Sequence, residues 1–168
     1  MNYAEQLAVT HSRANADLIA KAIGDDPEEF RKIIEIIYSA KAPLPQRASW
    51  LLAIVSRSHP ELIKPYIVKF TDTILDFRID GIKRNMLTAL ATQEIPKKQQ
   101  GKTVDFCFHF ILSPEAPVAL KALSLEILSR LMKQHPDLKN ELKAAIEDQL
   151  PKTTVAFRSK ANKILRKL

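Results

Sequence analysis

The strongest constraint on this chain is an internal repeat. Arg47, Arg84, Lys121 and Arg158 stand 37 residues apart each time. The same shift puts Ala53, Leu90, Ile127 and Ile164 on one register and Ile54, Ala91, Leu128 and Leu165 on the next. A second set runs in phase with the first: Phe30, Ile67 and Val104, then Ile33, Phe70, Cys107 and Ala144, then Ile37, Ile74 and Ile111. Two apolar faces therefore recur together at one period. Self-similarity at 20–50 residues marks stacked units, because no single unit can bury its apolar face alone. In the last repeat the first face drifts by about one residue, so that Leu142 and Ala145 fit better than Glu141 and Ala144.

Both faces are helical. Phe30, Ile33, Ile34 and Ile37 follow the i, i+3, i+4, i+7 pattern, and Ile67, Phe70, Ile74 and Leu138, Leu142, Ala145, Ile146 do likewise. Prolines mark the helix starts, where a missing N–H costs nothing. Asp26-Pro27-Glu28-Glu29 is a capped start with acidic residues at the positive end of the helix dipole. His59-Pro60-Glu61, Ser113-Pro114-Glu115 and His135-Pro136-Asp137 repeat that grammar. Pro65 either kinks a helix begun at Pro60 or marks a regular helix opening near Lys64. Val104–Phe110 alternates aromatics in a strand-like way, but the repeat assigns Val104, Cys107 and Ile111 to helical core positions. The expected first helices of the units lie near 27–40, 60–76, 99–112 and 137–149, and the second helices near 44–58, 80–93, 116–134 and 154–167. Residues 3–23 form one or two further helices, with Leu7, Ala14, Leu18 and Ala22 as their apolar stripe.

The turn between the two helices of the second unit reads Ile74-Leu75-Asp76-Phe77-Arg78-Ile79-Asp80-Gly81-Ile82-Lys83-Arg84-Asn85-Met86-Leu87. Pro45-Gln46-Arg47-Ala48-Ser49-Trp50-Leu51-Leu52 and Phe157-Arg158-Ser159-Lys160-Ala161 are weaker copies. With these segments the chain resembles HEAT-repeat proteins over about residues 26–168. The resemblance implies an all-α fold: a right-handed α-solenoid of about four HEAT-like helix–turn–helix repeats with an N-terminal capping helix. The chain then reads as a single domain over 1–168, with a cap at 3–25 and repeats at 26–59, 60–96, 97–135 and 136–168.

Composition narrows the function. With 168 residues and 46% hydrophobic side chains, the chain can build a core. Three glycines, Gly24, Gly81 and Gly101, are too dispersed for a phosphate-cradling loop. One cysteine excludes a disulfide framework, and the scattered histidines suggest no metal site. No nucleophile elbow or metalloprotease motif is present, so the reading is a non-enzyme without cofactor. The start carries no secretory signal pattern and no run is long enough to span a bilayer, so the cytoplasm is the expected compartment. The formal net charge is +7, but residues 149–168 hold six basic side chains and no acidic one. The charge therefore describes one terminal helix more than the whole chain.

Three features stand out as candidate interaction surfaces. The Arg47, Arg84, Lys121, Arg158 series either tracks phosphates or an acidic peptide along the stack, or pairs with turn carbonyls and carboxylates. The C-terminal helix sets Lys163, Arg166 and Lys167 opposite an apolar side of Phe157, Ala161, Ile164, Leu165 and Leu168. It is either a basic patch or an end cap presenting its polar face to water. Phe106 and Phe110 sit where the register has Lys32 and Lys69 for Phe106, so they either form an exposed aromatic contact or fill a gap against the next helix. Trp50, aligned with Leu87 and Ser124, is expected in the core. The resemblance implies a protein-interaction or scaffold module whose partner is another protein. The alternative is a nucleic-acid-binding protein using the second-helix cations and the basic C-terminal helix, distantly like the HEAT-like glycosylases that act on alkylated DNA bases.

Overall fold

The structure is a computed structural model that describes residues 1–168. It contains ten α-helices and no strand. The chain divides into two compact units, Met1–Glu94 and Ile95–Leu168.

The first unit holds α1 (Tyr3–Val9), α2 (Arg13–Ile23), α3 (Pro27–Ser39), α4 (Leu44–Ser58), α5 (Ile67–Thr73) and α6 (Asp80–Leu90). Helix α4 is its centre and packs against α1, α2, α3 and α6. Side-chain oxygens close the early helices: Asp26 Oδ1 accepts from the N–H groups of Glu28 and Glu29 at 2.8 and 3.3 Å, and Ser12 Oγ accepts from that of Asn15 at 3.2 Å. Gly24 ends α2 with φ +55°, a region that a side chain would strain. Residues 60–76 do not form one helix. Two 3₁₀ turns, Pro60–Leu62 and Lys64–Tyr66, precede α5, and a third, Ile74–Asp76, follows it. Each of the first two opens with or contains a proline, which cannot donate to a continuing helical ladder.

The second unit holds α7 (Lys97–Leu112), α8 (Val118–Leu131), α9 (Lys139–Gln149) and α10 (Val155–Leu165). Helix α7 packs on α8 and α9, and α10 packs on the same two, so two helix pairs lie one on the other. Val104–Phe110 is helical within α7, as the repeat required. Ser113-Pro114-Glu115 is not a helix start. It forms a turn, and Pro117 takes the cap position before Val118.

Most of the repeating registers form the cores, though Ala53, Ile54, Ala91, Val104 and Leu165 are only half-buried. Ile33, Phe70 and Cys107 are each 0% exposed, and Ile37, Ile74 and Ile111 are at most 2% exposed. Burying each such side chain contributes about 1.5–3 kcal/mol. The drift in the last repeat is present as well: Leu142 and Ala145 are buried while Glu141 and Ala144 are exposed. The stripe expected in residues 3–23 is only partly right. Leu7 is buried, but Ala14, Leu18 and Ala22 face solvent, and α2 buries Asn15, Ala16, Ile19 and Ile23 instead. Asn15 belongs there because its amide is satisfied. Its Nδ2 donates to the carbonyls of Gln6 and Thr10 at 3.0 Å, and its Oδ1 accepts from Gln6 Nε2 at 2.7 Å.

Candidate functional site

Each unit carries two members of the cationic series, and they are not equally exposed. In the first unit, Arg47 Nη1 donates to the carbonyls of Leu7 and Ala8 at 2.8 and 3.1 Å. It satisfies the carbonyl end of α1, whose last turn has no onward partner. Arg84 is exposed and borders a concavity of about 150 Å3 with His11, Gln46, Trp50 and Asn85. Trp50 is half-exposed here rather than in the core, with the His11 ring 5.1 Å from its own.

In the second unit, Arg158 is exposed and its Nη2 donates to the Thr153 carbonyl at 3.1 Å. Lys121 is no surface residue at all. It is 8% exposed, and its Nζ donates to Gln149 Oε1 at 2.6 Å. Burial and the nearby Lys152 pull its pKa down, while Asp148 opposes them. Gln149 Nε2 in turn donates to Asp148 Oδ2 at 2.8 Å, and Lys152 Nζ donates to Asp148 Oδ1 at 2.9 Å. Those bonds hold the Asp148 carboxyl below its usual range.

Phe106 and Phe110 are likewise interior, at 1% and 3% exposure. Their rings lie 6.2 Å apart, tilted by 56°. Helix α7 is buried over most of its circumference from Phe106 to Ile111, with only His109 exposed. A register position that is exposed as Lys32 and Lys69 in the first unit is thus core in the second. Of the two sequence readings, the pair fills the interior, and it offers no aromatic contact to a partner.

The C-terminal helix lies as its pattern suggests. Phe157, Ala161 and Ile164 are buried, and Lys163, Arg166 and Lys167 are exposed. One of these cations contributes to a pocket of about 440 Å3. The pocket is built where three helix ends meet. Ser129 and Arg130 lie in the last turn of α8, and Met132 and Lys133 in the turn beyond it. Pro136 ends that turn, and the residue before it, His135, takes a non-helical backbone (φ −131°, ψ 69°), away from the α region that a following proline disfavours. His135 also reaches α7, with Nε2 2.6 Å from Gln100 Oε1, while Gln100 Nε2 donates to the Ile95 carbonyl at 3.0 Å. Lys139 opens α9 on one side, and Ile164, Lys167 and Leu168 close the other.

The floor of this pocket is apolar, with Met132 7% and Ile164 8% exposed. Its rim carries Arg130, Lys133, Lys139 and Lys167, and no acidic side chain lines it. Lys133, Lys139 and Lys167 make no ion pair. Other cations of the same unit are matched: Lys160 to Glu126 at 2.7 Å, Lys152 to Asp148 at 2.9 Å and Lys143 to Glu147 at 3.9 Å. The sequence flagged Lys167 and missed Lys133 and Lys139, which lie outside both the repeat register and the basic run. No helix of the structure is long and apolar enough to cross a membrane.

The family described as HEAT repeat domain matches residues 3–168. No curated protein and no solved structure matches the chain.

Proposed function

Because the chain belongs to the HEAT-repeat family, whose members commonly serve as protein-interaction scaffolds, we propose that it is a non-catalytic protein-interaction module. The observation that carries this reading is the pocket at the ends of α8 and α10. It combines an apolar floor with a cationic rim that no acidic side chain lines, the composition of a contact site with a buried centre and a polar edge. The proposed partner is another protein, and the module works by binding alone, without a cofactor. The proposed compartment is the cytoplasm.

The nucleic-acid alternative draws on the six cations of residues 149–168. Three of them are already engaged, Lys152 with Asp148, Lys160 with Glu126 and Arg158 with a backbone carbonyl. What remains for phosphates is Lys163, Arg166 and Lys167, a short cluster for a phosphate-tracking surface.

Affinity capture from native extract with the full chain as bait tests the reading. A protein recovered in stoichiometric amount, and retained after nuclease treatment, is the expected result. Recovery of nucleic acid alone, with a steep loss of binding as salt rises, would replace the reading with the alternative.

A further inference from the structure

We infer that the pocket at the ends of α8 and α10 docks an acidic segment of a partner protein that inserts a bulky aliphatic side chain. This inference rests on the protein-interaction reading above and names the chemistry of the partner. Its volume, about 440 Å3, falls within the roughly 300–1,000 Å3 of ligand-binding clefts.

Charge sets the first requirement. Four cationic side chains face one opening with no carboxylate among the lining residues. Asp137 lies on the adjoining 3₁₀ turn but does not line the pocket. The cations repel one another within a Debye length of about 8 Å at physiological salt. Two of them sit where a helix dipole offsets part of that repulsion: Arg130 in the last turn of α8 and Lys167 just beyond α10. Lys139 does not. It is the first residue of α9, at the positive end of the dipole, where Asp or Glu would stabilise the helix. Lys143, Lys152 and Lys160 of the same unit are matched to acids, whereas Lys133, Lys139 and Lys167 meet at one opening with no ion pair of their own. An anionic occupant relieves it.

The floor sets the second requirement. Met132, Ile164 and Leu168 offer an aliphatic surface, and methionine adapts its shape to irregular apolar partners. No aromatic ring lines the pocket, so it provides no platform for stacking nucleobases. An apolar floor also does nothing for a phosphodiester backbone. Carboxylates around a Leu-like anchor match both the rim and the floor.

The test uses the full chain and fluorescein-labelled 12-residue peptides, followed by anisotropy. The probe carries two leucines at i and i+3 in a Glu/Asp background. Companions have both leucines replaced by serine, or every acid replaced by lysine, and a 20-base-pair DNA duplex is a further arm. Expected is saturable binding of the probe that weakens as salt rises, with about tenfold loss for the serine companion and for the K133E/K167E variant. Lys133 and Lys167 are exposed, so that variant should melt with the wild type. The inference is overturned if the probe does not bind, if K133E/K167E binds it equally well, or if the duplex binds in its place. Capture of one partner by wild type and K133E/K167E alike would sink the pocket while leaving the interaction reading intact. Absence of any captured partner would sink both.

Discussion

Phe106→Ala should destabilise the protein by about 3–5 kcal/mol, the range for truncating a buried phenylalanine. The ring is 1% exposed, so its transfer from water contributes about 1.5–3 kcal/mol. Its tilted pairing with Phe110 at 6.2 Å adds about 0.5–1.5 kcal/mol. The cavity left in the middle of the 16-residue helix α7 adds the remainder, since a helix held on two sides by α8 and α9 cannot collapse freely into it. Against a total stability of about 5–15 kcal/mol, this is a large share. For a chain of this length each kcal/mol moves the Tm by about 2–4 °C, so the fall should be at least about 6 °C. Far-UV circular dichroism melts at pH 7 measure it. Lys98→Ala, exposed at the start of the same helix, is the control and should stay within about 0.5 kcal/mol of wild type. A Phe106→Ala protein melting within about 2 °C of wild type would refute the assignment of the ring to the core.

Three further outcomes follow from individual contacts. Arg47→Ala removes the donor to the Leu7 and Ala8 carbonyls and should cost about 1–2 kcal/mol for a half-exposed charged group, with faster hydrogen exchange confined to α1 and α2; unchanged exchange there would contradict the contact. Burial pushes the Cys107 thiol well above its ordinary range, so a maleimide should label it about 100-fold more slowly in the native protein than in urea, and equal rates would place it at the surface. The Glu29 carboxylate, bonded by Lys32 Nζ at 2.5 Å and by the Tyr3 hydroxyl at 2.5 Å, is held below its ordinary value of 4.5. Its contribution is therefore present above pH 4.5 and is lost as pH falls through the lower folded-state value. Urea midpoints of wild type should drop more than those of Glu29→Gln on acidification from pH 5 to about pH 3, and parallel profiles would count against it.

The places where the sequence misled are instructive. Helix α2 has small apolar residues on more than one face, and packing against α4 selects Ala16, Ile19 and Ile23 over Ala14, Leu18 and Ala22. Trp50 shares a register with Leu87, which is fully buried, yet it lies at a rim beside His11. Lys121 shares a register with three arginines, yet its ammonium is drawn inside by Gln149, a partner 28 residues away. In each case the local pattern was correct for a helix and silent about its neighbour.

What the sequence determined by itself is the periodic skeleton: the helical segments, the capped start at Asp26-Pro27, the 37-residue registers and the one-residue drift in the last repeat. Periodicity suffices for these because an amphipathic helix must turn its apolar stripe to its neighbours whatever they are. Tertiary structure alone decided which charges are satisfied and which converge. Arg130, Lys133, Lys139 and Lys167 come from the ends of three helices and the turns between them, and no spacing along the chain marks them as a group. They meet because a short connection, with the 3₁₀ turn that Pro136 opens, joins the end of α8 to the start of α9, bringing Lys139 to the rim that Lys167 reaches from the end of α10.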